Sequence, residues 1–526
     1  MKCGLRDSKN SVSGVATFTL VTILGILLLS NAVYSIPDQT DPQKSIKKLL
    51  RQAREQLRGG MLSESEALLR KASGMDPRRS DVQVELAYVL TKQRRIREAY
   101  DLVVEVANAE PTNTRALAVF GATMLAGGRF REARLLFIQA IRLNRREHLA
   151  WAGYGMVDFY ENQIGESIAN LREAVYHEPD EPDYLFALAQ VSARAELYGE
   201  AAEAYKTFLK ISKVTDSDRR ARIKGLIEFL VYLSRSDRLY STSGREETRI
   251  PFALEGNRPV MDIKVNGNSE PQRFVLDTGS GMSVISEKTA KRLKIKPVAR
   301  GGHAKGIGGN GKFEIVYGLI RQLAIGDITI RNVPVYIRRF HSETNEVDGY
   351  IGLSLISKFL TTVDYGEHTF AMTRSDDAAR TFRAQNYVSL PLRLTSSGFL
   401  SGEVQIEGIN APLNFIVDTG ASVSVISDEV ASIDALSQFE SSERLRVIGS
   451  AGITDDVSTY RLPRLTFGSH SRADVTAVAL NLGIINEASG FEQAGILGGN
   501  FLRNFRLTFD FKNSRVTFVP VPAEKE

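Results

Sequence analysis

Two aspartates in near-identical surroundings are the residues of this chain best suited to chemistry. Asp277 lies in FVLDTGSGMSVIS and Asp418 lies in FIVDTGASVSVIS, and eight of the thirteen positions are identical. Two carboxyl groups held side by side cannot both ionise cheaply, so such a pair shares one proton. The ionised member can remove a proton from water while the protonated member donates to a developing oxyanion. The pair therefore predicts hydrolysis of a peptide amide by activated water, with no metal or cofactor.

The residues next to the aspartates have matching physical roles. Gly279 and Gly420 allow the backbone to approach the carboxylates closely and to direct amide N–H groups at them. Ser280 can donate a hydrogen bond to an aspartate oxygen, whereas Ala421 at the corresponding place cannot. This difference predicts that Asp277 is the more readily ionised partner.

The repetition extends far beyond the aspartates and predicts two copies of one β-rich unit. From Ile250 onward, short alternating strands are separated by Gly, Asn and Pro turns. In each copy a hairpin leads into the aspartate, and a glycine-rich stretch follows it, GIGGNG in the first copy and IGSAG in the second. A late strand in each copy carries an Asp-aromatic pair, at Asp364 and Asp510. We expect these two aspartates to serve structure within their own halves.

In these motifs the C-terminal half resembles the retropepsin-like aspartic peptidases, the fold group of retroviral proteases, with two complete units on one polypeptide. The resemblance implies two lobes, at 250–375 and 388–521, with catalytic Asp277 and Asp418 meeting at a pseudo-twofold axis. It also implies that Thr278 and Thr419 hydrogen-bond across that axis. The implied flaps over the cleft consist of Gly306, Ile307, Gly308 and Gly309 in the first lobe and Gly449, Ser450, Ala451 and Gly452 in the second.

The N-terminal half contains a repeat of 34 residues. Small residues recur at this interval at Ala53, Ala87, Gly121, Gly155 and Ala189, and a second small series and an apolar series share the phase. This period resembles the tetratricopeptide (TPR) family, so five repeats are expected over 45–213, followed by a capping helix and linker over 214–249. The concave surface of such a solenoid is expected to bind a protein or peptide. The alternative is a spacer that holds the second half away from a membrane.

The first 36 residues predict export. Lys2, Arg6 and Lys9 precede an apolar run over 15–30, which is typical of a secretory signal. An uncleaved membrane anchor is the competing interpretation, and it is the only membrane contact that we expect. The single cysteine, Cys3, excludes disulfides from the body. An exported body without cysteine favours a bacterial periplasm.

Length and composition limit the function classes. The chain of 526 residues has a net charge of only +5, and its basic residues are scattered, so no nucleic-acid partner is expected. The predicted fold class is multidomain: an all-α TPR solenoid followed by two all-β retropepsin-like lobes. The predicted function is an exported aspartic endopeptidase acting on a protein or peptide, for which a monomer suffices. A non-catalytic binding scaffold and a site formed by lobes of two chains remain as alternatives.

Overall fold

The computed structural model describes residues 42–213, 216–308, 312–340, 347–374, 389–391 and 393–521. The predicted leader over 1–36 and the flap residue Gly309 lie outside these ranges. None of the helices in the described ranges is both long and apolar enough to cross a bilayer.

Eleven helices form the N-terminal part of the described chain. The first ten are α1 (Pro42–Arg58), α2 (Leu62–Met75), α3 (Ser80–Lys92), α4 (Ile96–Ala109), α5 (Thr114–Ala126), α6 (Phe130–Leu143), α7 (His148–Tyr160), α8 (Ile164–His177), α9 (Pro182–Arg194) and α10 (Tyr198–Ile211). They pack as five helical hairpins, and α11 (Ser217–Ser234) packs on α10. This is the solenoid that the 34-residue period predicts.

The small residues of the repeat are required by close packing inside each hairpin. A Cβ atom on Gly121 would lie 2.7 Å from the ring of Phe137, and one on Gly155 would lie 2.9 Å from Leu171. Ser167 uses its small size differently, since its hydroxyl donates to the carbonyl of Gly155 at 2.7 Å. Each hairpin therefore seats the bulky apolar residue of its second helix on the small residue of its first.

The first lobe contains strands and two short helices. They are β1 (Ser241–Gly244), β2 (Glu247–Pro251), β3 (Ala253–Glu255), β4 (Arg258–Val265), β5 (Gln272–Leu276), β6 (Ser283–Ser286), α12 (Glu287–Arg292), β7 (Pro297–Lys305), β8 (Lys312–Ile325), β9 (Ile328–Arg338), β10 (Gly349–Ile351), α13 (Leu353–Ile356), β11 (Leu360–Asp364) and β12 (Thr369–Thr373).

The second lobe repeats this order. Its elements are β13 (Ser389–Pro391), β14 (Arg393–Leu394), β15 (Leu400–Ile406), β16 (Leu413–Val417), β17 (Ser424–Ser427), α14 (Asp428–Ala431), α15 (Asp434–Ser437), β18 (Glu440–Gly449), β19 (Gly452–Phe467), β20 (His470–Leu480), α16 (Gly483–Ser489), β21 (Gly495–Leu497), α17 (Gly499–Leu502), β22 (Phe505–Asp510) and β23 (Arg515–Pro520).

The two lobes share one strand topology. In the first lobe β10 lies parallel to β5 and antiparallel to β6, and β6 lies parallel to β9. In the second lobe β21 relates to β16 and β17 in the same way, and β17 lies parallel to β20. The strands that precede the two aspartates, β5 and β16, are therefore held in equivalent positions.

A six-stranded sheet joins the lobes, in the order β13-β23-β22-β11-β12-β2. Its central pair is β11 with β22, which places Leu360 opposite Asp510 and Asp364 opposite Arg506. The backbones of the two late strands thus pair across the halves and leave no open edge between them, while the Asp364 and Asp510 side chains bond within their own halves as expected. The Asp364 side chain accepts N–H bonds from its own turn, at Gly366 and Glu367.

The predicted linker is the polar segment Tyr240 to Arg249 at the end of 214–249, and the structure shows strands there instead. The segment contains β1, which pairs with β9, and the start of β2, which pairs with β12. Thr248 in β2 is buried, and its hydroxyl oxygen accepts the amide N–H of Asp327. The segment is polar because β1 and β2 are edge strands, each with one exposed face.

The solenoid packs directly on the lobes through one edge. Four successive hairpins contact the lobes at or beside their turns. At equivalent positions of three repeats, Arg94 donates to the Asn486 carbonyl, Asn162 donates to the Phe511 carbonyl and Glu196 pairs with Lys358. In the remaining hairpin, the carbonyl of Ala126 at the end of α5 accepts the Glu492 amide. In addition, Phe491 of the second lobe is fully buried in the solenoid core between the rings of Phe130 and Tyr160. The solenoid therefore holds a fixed position beside the cleft.

Candidate active site

The two aspartates sit on equivalent loops at the junction of the lobes. Asp277 follows β5 and its amide donates to the Ile351 carbonyl of β10 at 3.0 Å. Asp418 follows β16 and its amide donates to the Leu497 carbonyl of β21, also at 3.0 Å. Each loop is thus anchored to the strand that runs parallel to its own, and the duplicated fold delivers one carboxyl group from each half.

Two buried threonines lock the loops together. The Thr278 hydroxyl donates to the Val417 carbonyl at 2.7 Å and accepts the Thr419 amide N–H at 3.1 Å. The Thr419 hydroxyl donates to the Leu276 carbonyl at 2.7 Å and accepts the Thr278 amide N–H at 3.2 Å. Both side chains are completely buried. The four hydrogen bonds fix the relative position of the aspartate loops.

The carboxyl groups meet across the axis in direct contact with the opposite glycine. A Cβ atom on Gly279 would lie 2.3 Å from the Asp418 carboxyl carbon, and one on Gly420 would lie 2.7 Å from that of Asp277. Only glycine leaves this space free. Each carboxyl group also accepts the amide of the glycine in its own loop, at 2.9 Å for Asp277 and 2.7 Å for Asp418.

The shared environment raises both pKa values, and unequally. Burial, the adjacent Asp418 charge and the hydrogen bond between the two carboxyl groups raise the pKa of Asp277 well above its ordinary value. Burial also raises the pKa of Asp418, but N–H groups of Gly420, Ala421 and Gly279 and the hydrogen bond from Asp277 oppose the rise. The two carboxyl groups therefore have unequal surroundings, with more N–H donors facing Asp418 than Asp277.

Ser280 does not make the hydrogen bond that was expected of it. The Ser280 hydroxyl donates to the Met282 carbonyl at 2.8 Å, which stabilises the turn of its own loop, and not to an aspartate oxygen. The serine therefore gives no reason for Asp277 to be the more readily ionised partner. Ser280 and Ala421 both line the cavity beside the aspartates.

Two glycine-rich hairpin tips meet above the aspartates. We call the hairpin of β7 and β8 the first flap and the hairpin of β18 and β19 the second flap. The Ala451 amide donates to the Ile307 carbonyl at 3.0 Å. Close approach requires glycine at both tips: a Cβ atom on Gly308 would lie 2.5 Å from the Gly452 carbonyl oxygen, and one on Gly449 would lie 2.1 Å from the Ile307 carbonyl oxygen.

Glycine is also needed for backbone conformation and for contacts beside the tip. Gly308 has φ +83° and Gly452 has φ +147°, which side chains disfavour. A Cβ atom on Gly306 would lie 2.1 Å from the Ser450 hydroxyl oxygen. The flap residues of the two lobes that fall in the described ranges therefore lie together over the cleft.

Arg338, at the end of β9, contacts both flaps. It belongs to no motif that would identify it from the sequence. Its guanidinium donates to the Ser450 carbonyl of the second flap and lies 3.8 Å from the ring centre of Phe313 in the first flap. Burial lowers the pKa of Arg338. One arginine thus contacts both flaps from the wall of the cleft.

The aspartates and the flap tips enclose one continuous cavity of about 1800 Å³. This exceeds the roughly 300–1,000 Å³ typical of small-molecule sites, so it suits a segment of polypeptide better than a compact ligand. Its lining includes side chains of α9, α10 and α11 as well as both lobes. The contribution of the solenoid to this wall was not predicted, because the 34-residue period reports packing inside the repeat and not contacts outside it.

The two aspartates of the axis both line this cavity. A hydrogen bond joins the carboxyl groups of Asp277 and Asp418. No group of three or more His, Cys, Asp or Glu side chains in the described ranges is arranged to hold a metal ion.

Comparison with known proteins gave matches to both halves of the chain. The N-terminal array is similar to several solved TPR structures. A thermophilic TPR protein of Thermus thermophilus is 20% identical over 35% of this chain and 98% of its own, with a TM-score of 0.31. Pseudomonas aeruginosa PilF is 16% identical over 37% and 87%, with a TM-score of 0.28. MamA of Desulfovibrio magneticus is 18% identical over 33% and 98%, with a TM-score of 0.23.

A comparison with curated proteins gave no match. The family model described as aspartyl protease matches the C-terminal half twice, over residues 261–355 and 402–501, so that each match contains one aspartate loop and one flap tip. The chain is thus an array of five helical hairpins followed by two β-rich units that match the aspartyl protease model, in agreement with the predicted fold class.

Proposed function

We propose that this chain is an aspartic endopeptidase that hydrolyses a polypeptide held in the cavity between the flaps and the Asp277–Asp418 pair. The observation that carries the proposal is the meeting of the two carboxyl groups, which are joined by a hydrogen bond and packed so tightly on the opposite glycines that a Cβ atom there would lie only 2.3 and 2.7 Å from the carboxyl carbons. A pair this close shares a proton, which supplies a base and an acid in one site.

We assign the steps from the unequal surroundings of the two carboxyl groups, with Asp418 as the base and Asp277 as the acid. Asp418, ionised, takes a proton from a water molecule as the water oxygen bonds to the scissile carbonyl carbon, and Asp277 gives its proton to the carbonyl oxygen. The tetrahedral intermediate then collapses. The C–N bond breaks as Asp418 returns its proton to the amide nitrogen, and Asp277 recovers a proton from the hydroxyl that becomes the new carbonyl. Both carboxyl groups end in their starting states.

The solenoid is proposed to recruit the substrate or a partner protein. Two ion pairs link helices that are not neighbours in the repeat array: Lys92 of α3 with Asp183 of α9, and Arg58 of α1 with Glu178 before α9. These pairs connect the first two repeats to the last across the concave side. A ligand that enters the groove must therefore separate them, which favours acidic or basic side chains as the competing groups.

Export remains part of the proposal. The apolar run over 15–30 behind three basic residues is its support. Sequencing the N-terminus of the protein recovered from periplasmic and membrane fractions distinguishes a cleaved signal, an anchor and a cytoplasmic protein.

The central test compares three single variants of the full chain on casein and on a peptide library. Asp277→Asn and Asp418→Asn should each lower the rate by at least about a hundredfold, since each removes one member of the acid–base pair. A peptidomimetic inhibitor of aspartic proteases should block the wild type.

Asp101→Asn is the matched control. Asp101 is an exposed aspartate of α4, outside the cavity, and its substitution should leave the rate unchanged. Peptide binding without turnover by the wild type would replace the enzyme with a binding scaffold, and full activity in both dyad variants would refute the mechanism.

A further inference from the structure

One end of the cavity is built by the solenoid and not by the lobes alone. Tyr198 at the start of α10 and Leu226 of α11 line the same cavity as Asp277 and Asp418. Both side chains are half-buried, so each keeps surface that faces the cavity. The solenoid thus reaches the space in which a substrate must lie.

The first lobe completes an apolar surface at this end. Met282, Ile315 and Tyr336 are half-buried, line the cavity, and pack with Tyr198 and Leu226 on one buried cluster. The base of that cluster is rigid, because it includes the fully buried Phe229 of α11 stacked on Tyr317 of β8, with ring centres 4.4 Å apart. Two separate parts of the chain therefore present one concave apolar patch.

The patch is continuous with the catalytic loop. Met282 lies five residues after Asp277, and its carbonyl accepts the Ser280 hydroxyl at 2.8 Å. The Ser280 carbonyl in turn accepts the Leu353 amide at 2.8 Å, which ties the loop to α13. A polypeptide lying across the aspartates can therefore reach the patch without leaving the cavity.

The charged groups at the edge of the patch are already paired. Lys358 makes an ion pair with Glu196, the residue two before Tyr198. Apolar surface that remains accessible inside a cleft gains most from an apolar occupant. An aromatic side chain offers the largest such area and packs favourably against the tyrosine rings.

We propose that Tyr198 and Leu226, together with Met282, Ile315 and Tyr336, form a distal subsite for a bulky apolar, preferably aromatic, side chain of the substrate. This deepens the proposed function, on which it rests: the solenoid selects substrate as a wall of the active-site cleft. The occupant is a segment of the substrate and not a separate partner, because the patch and the aspartates share one cavity.

The test uses the full chain and alanine-rich peptides that share one scissile sequence. Each peptide carries a single phenylalanine at a different distance from the scissile bond, and an all-alanine peptide serves as reference. Wild type should show a maximum of kcat/KM at one remote position. Tyr198→Ala and Leu226→Ala should each reduce the preference for that phenylalanine over alanine by about tenfold.

Matched substitutions on exposed solenoid residues provide the controls. Tyr176→Ala in α8 and Leu135→Ala in α6 remove side chains that are 79% and 62% exposed and do not line the cavity, so the preference should not change. Partial loss of fold in Tyr198→Ala would lower both rates together and leave their ratio intact. The ratio therefore isolates the subsite from stability.

A second measurement separates this inference from the proposed function. Binding of the preferred peptide and of the all-alanine peptide to the Asp277→Asn chain is measured by fluorescence anisotropy, with and without Tyr198→Ala. Cleavage by wild type with no remote preference overturns the subsite and keeps the protease. No cleavage, with a binding preference that Tyr198→Ala abolishes, overturns the protease and keeps the subsite. Absence of preference in both measurements overturns the subsite.

Discussion

The two flaps have the same topology and different support. The first flap lies against α11: Gly225 packs on the Arg300 carbonyl, where a Cβ atom would lie only 2.1 Å from its oxygen, and Arg222 donates to the His303 carbonyl at 3.0 Å. The second flap has no buried residue in β18, and its ion pair between Arg446 and Asp455 stays within the hairpin. The duplicated fold thus has one flap that packs on the solenoid and one whose tip contacts the first flap and Arg338.

This difference shows which parts of the two lobes must have the same structure. At the axis, both lobes contribute the same loop, threonine and glycine, because a shared proton requires both carboxyl groups in contact. Above the axis, only one flap needs to move for a polypeptide to enter. The solenoid occupies the outer face of the first flap, so we expect the second flap to open.

We call the packing of α11 against the first flap the brace. Removing part of it should give the largest effect. Phe229→Ala should lower the free energy of unfolding by about 3–5 kcal/mol, the usual loss for a buried phenylalanine, and should accelerate amide exchange in the first flap. Exchange followed by mass spectrometry measures both flaps in one experiment. In wild type the second flap should exchange faster, and in the variant the two rates should approach each other.

Phe137→Ala is the control for this experiment. Phe137 is equally buried, in α6, and lies in the core of the solenoid. Phe137→Ala should lower the free energy of unfolding by a similar amount. It should not accelerate amide exchange in the first flap in particular. Equal flap exchange in wild type would remove the comparison on which this prediction rests.

The next effect concerns the axis, where the lobes should behave alike. Thr278→Val and Thr419→Val each keep the shape and remove one hydroxyl, which leaves an amide N–H and a carbonyl of the opposite loop without their partner. Each should cost about 1–3 kcal/mol, and the two values should agree closely. Urea unfolding measures both losses of stability. A large difference between them would show that the two sides of the axis do not contribute equally to stability.

The aspartate loops at the axis were predicted from the sequence, whereas the contacts that hold the solenoid and the flaps in place were not. The reason is physical. The aspartate loops tolerate few residue types, because a Cβ atom at Gly279 or Gly420 collides with a carboxyl group, so both copies retain the same letters. The small residues of the repeat are constrained in the same way. These positions are visible in a single sequence because the chain contains each of them more than once.

Contacts between the solenoid, the lobes and the flaps are made by residues that are not repeated in the sequence. Phe491 enters the solenoid core and Arg338 fastens the flaps, yet neither belongs to a repeated motif. Asn162 contacts the second lobe from a position whose counterparts in other repeats are Arg94, Gly128 and Glu196, with no shared chemistry. Such residues match the surface that each one meets, and that surface is known only from the structure. The error at Ser280 has the same origin, because its partner is chosen by local loop geometry.

A third prediction uses the unequal dyad. A carboxyl group whose folded pKa is raised stabilises the fold fully below its unfolded pKa, and this stability is lost as pH rises through the folded value. Asp277→Asn cannot lose a proton, so its melting temperature should match that of wild type at acid pH and should exceed it increasingly once pH rises above about 4. Arg258 faces Asp277 and opposes this trend.

Thermal unfolding across pH checks the prediction, and Asp418→Asn provides the comparison between lobes. Because more N–H groups hold the charge of Asp418, its substitution should give a smaller rise at neutral pH than Asp277→Asn. The opposite order would assign the proton to Asp418 and exchange the roles of acid and base.

The smallest effect tests whether surface charge contributes to the brace. Lys312 at the base of the first flap tip pairs with Asp218 of α11 at 2.6 Å, and Asp218→Asn weakens that link. Both side chains are about half exposed, so exchange in the first flap should accelerate by no more than about fivefold. Asp455→Asn in the second flap breaks a pair inside one hairpin and should leave the first flap unchanged. If Asp218→Asn instead loosened the first flap as strongly as Phe229→Ala, the brace would be electrostatic, and it would weaken with salt; a brace made by ring stacking and close backbone packing should be insensitive to ionic strength.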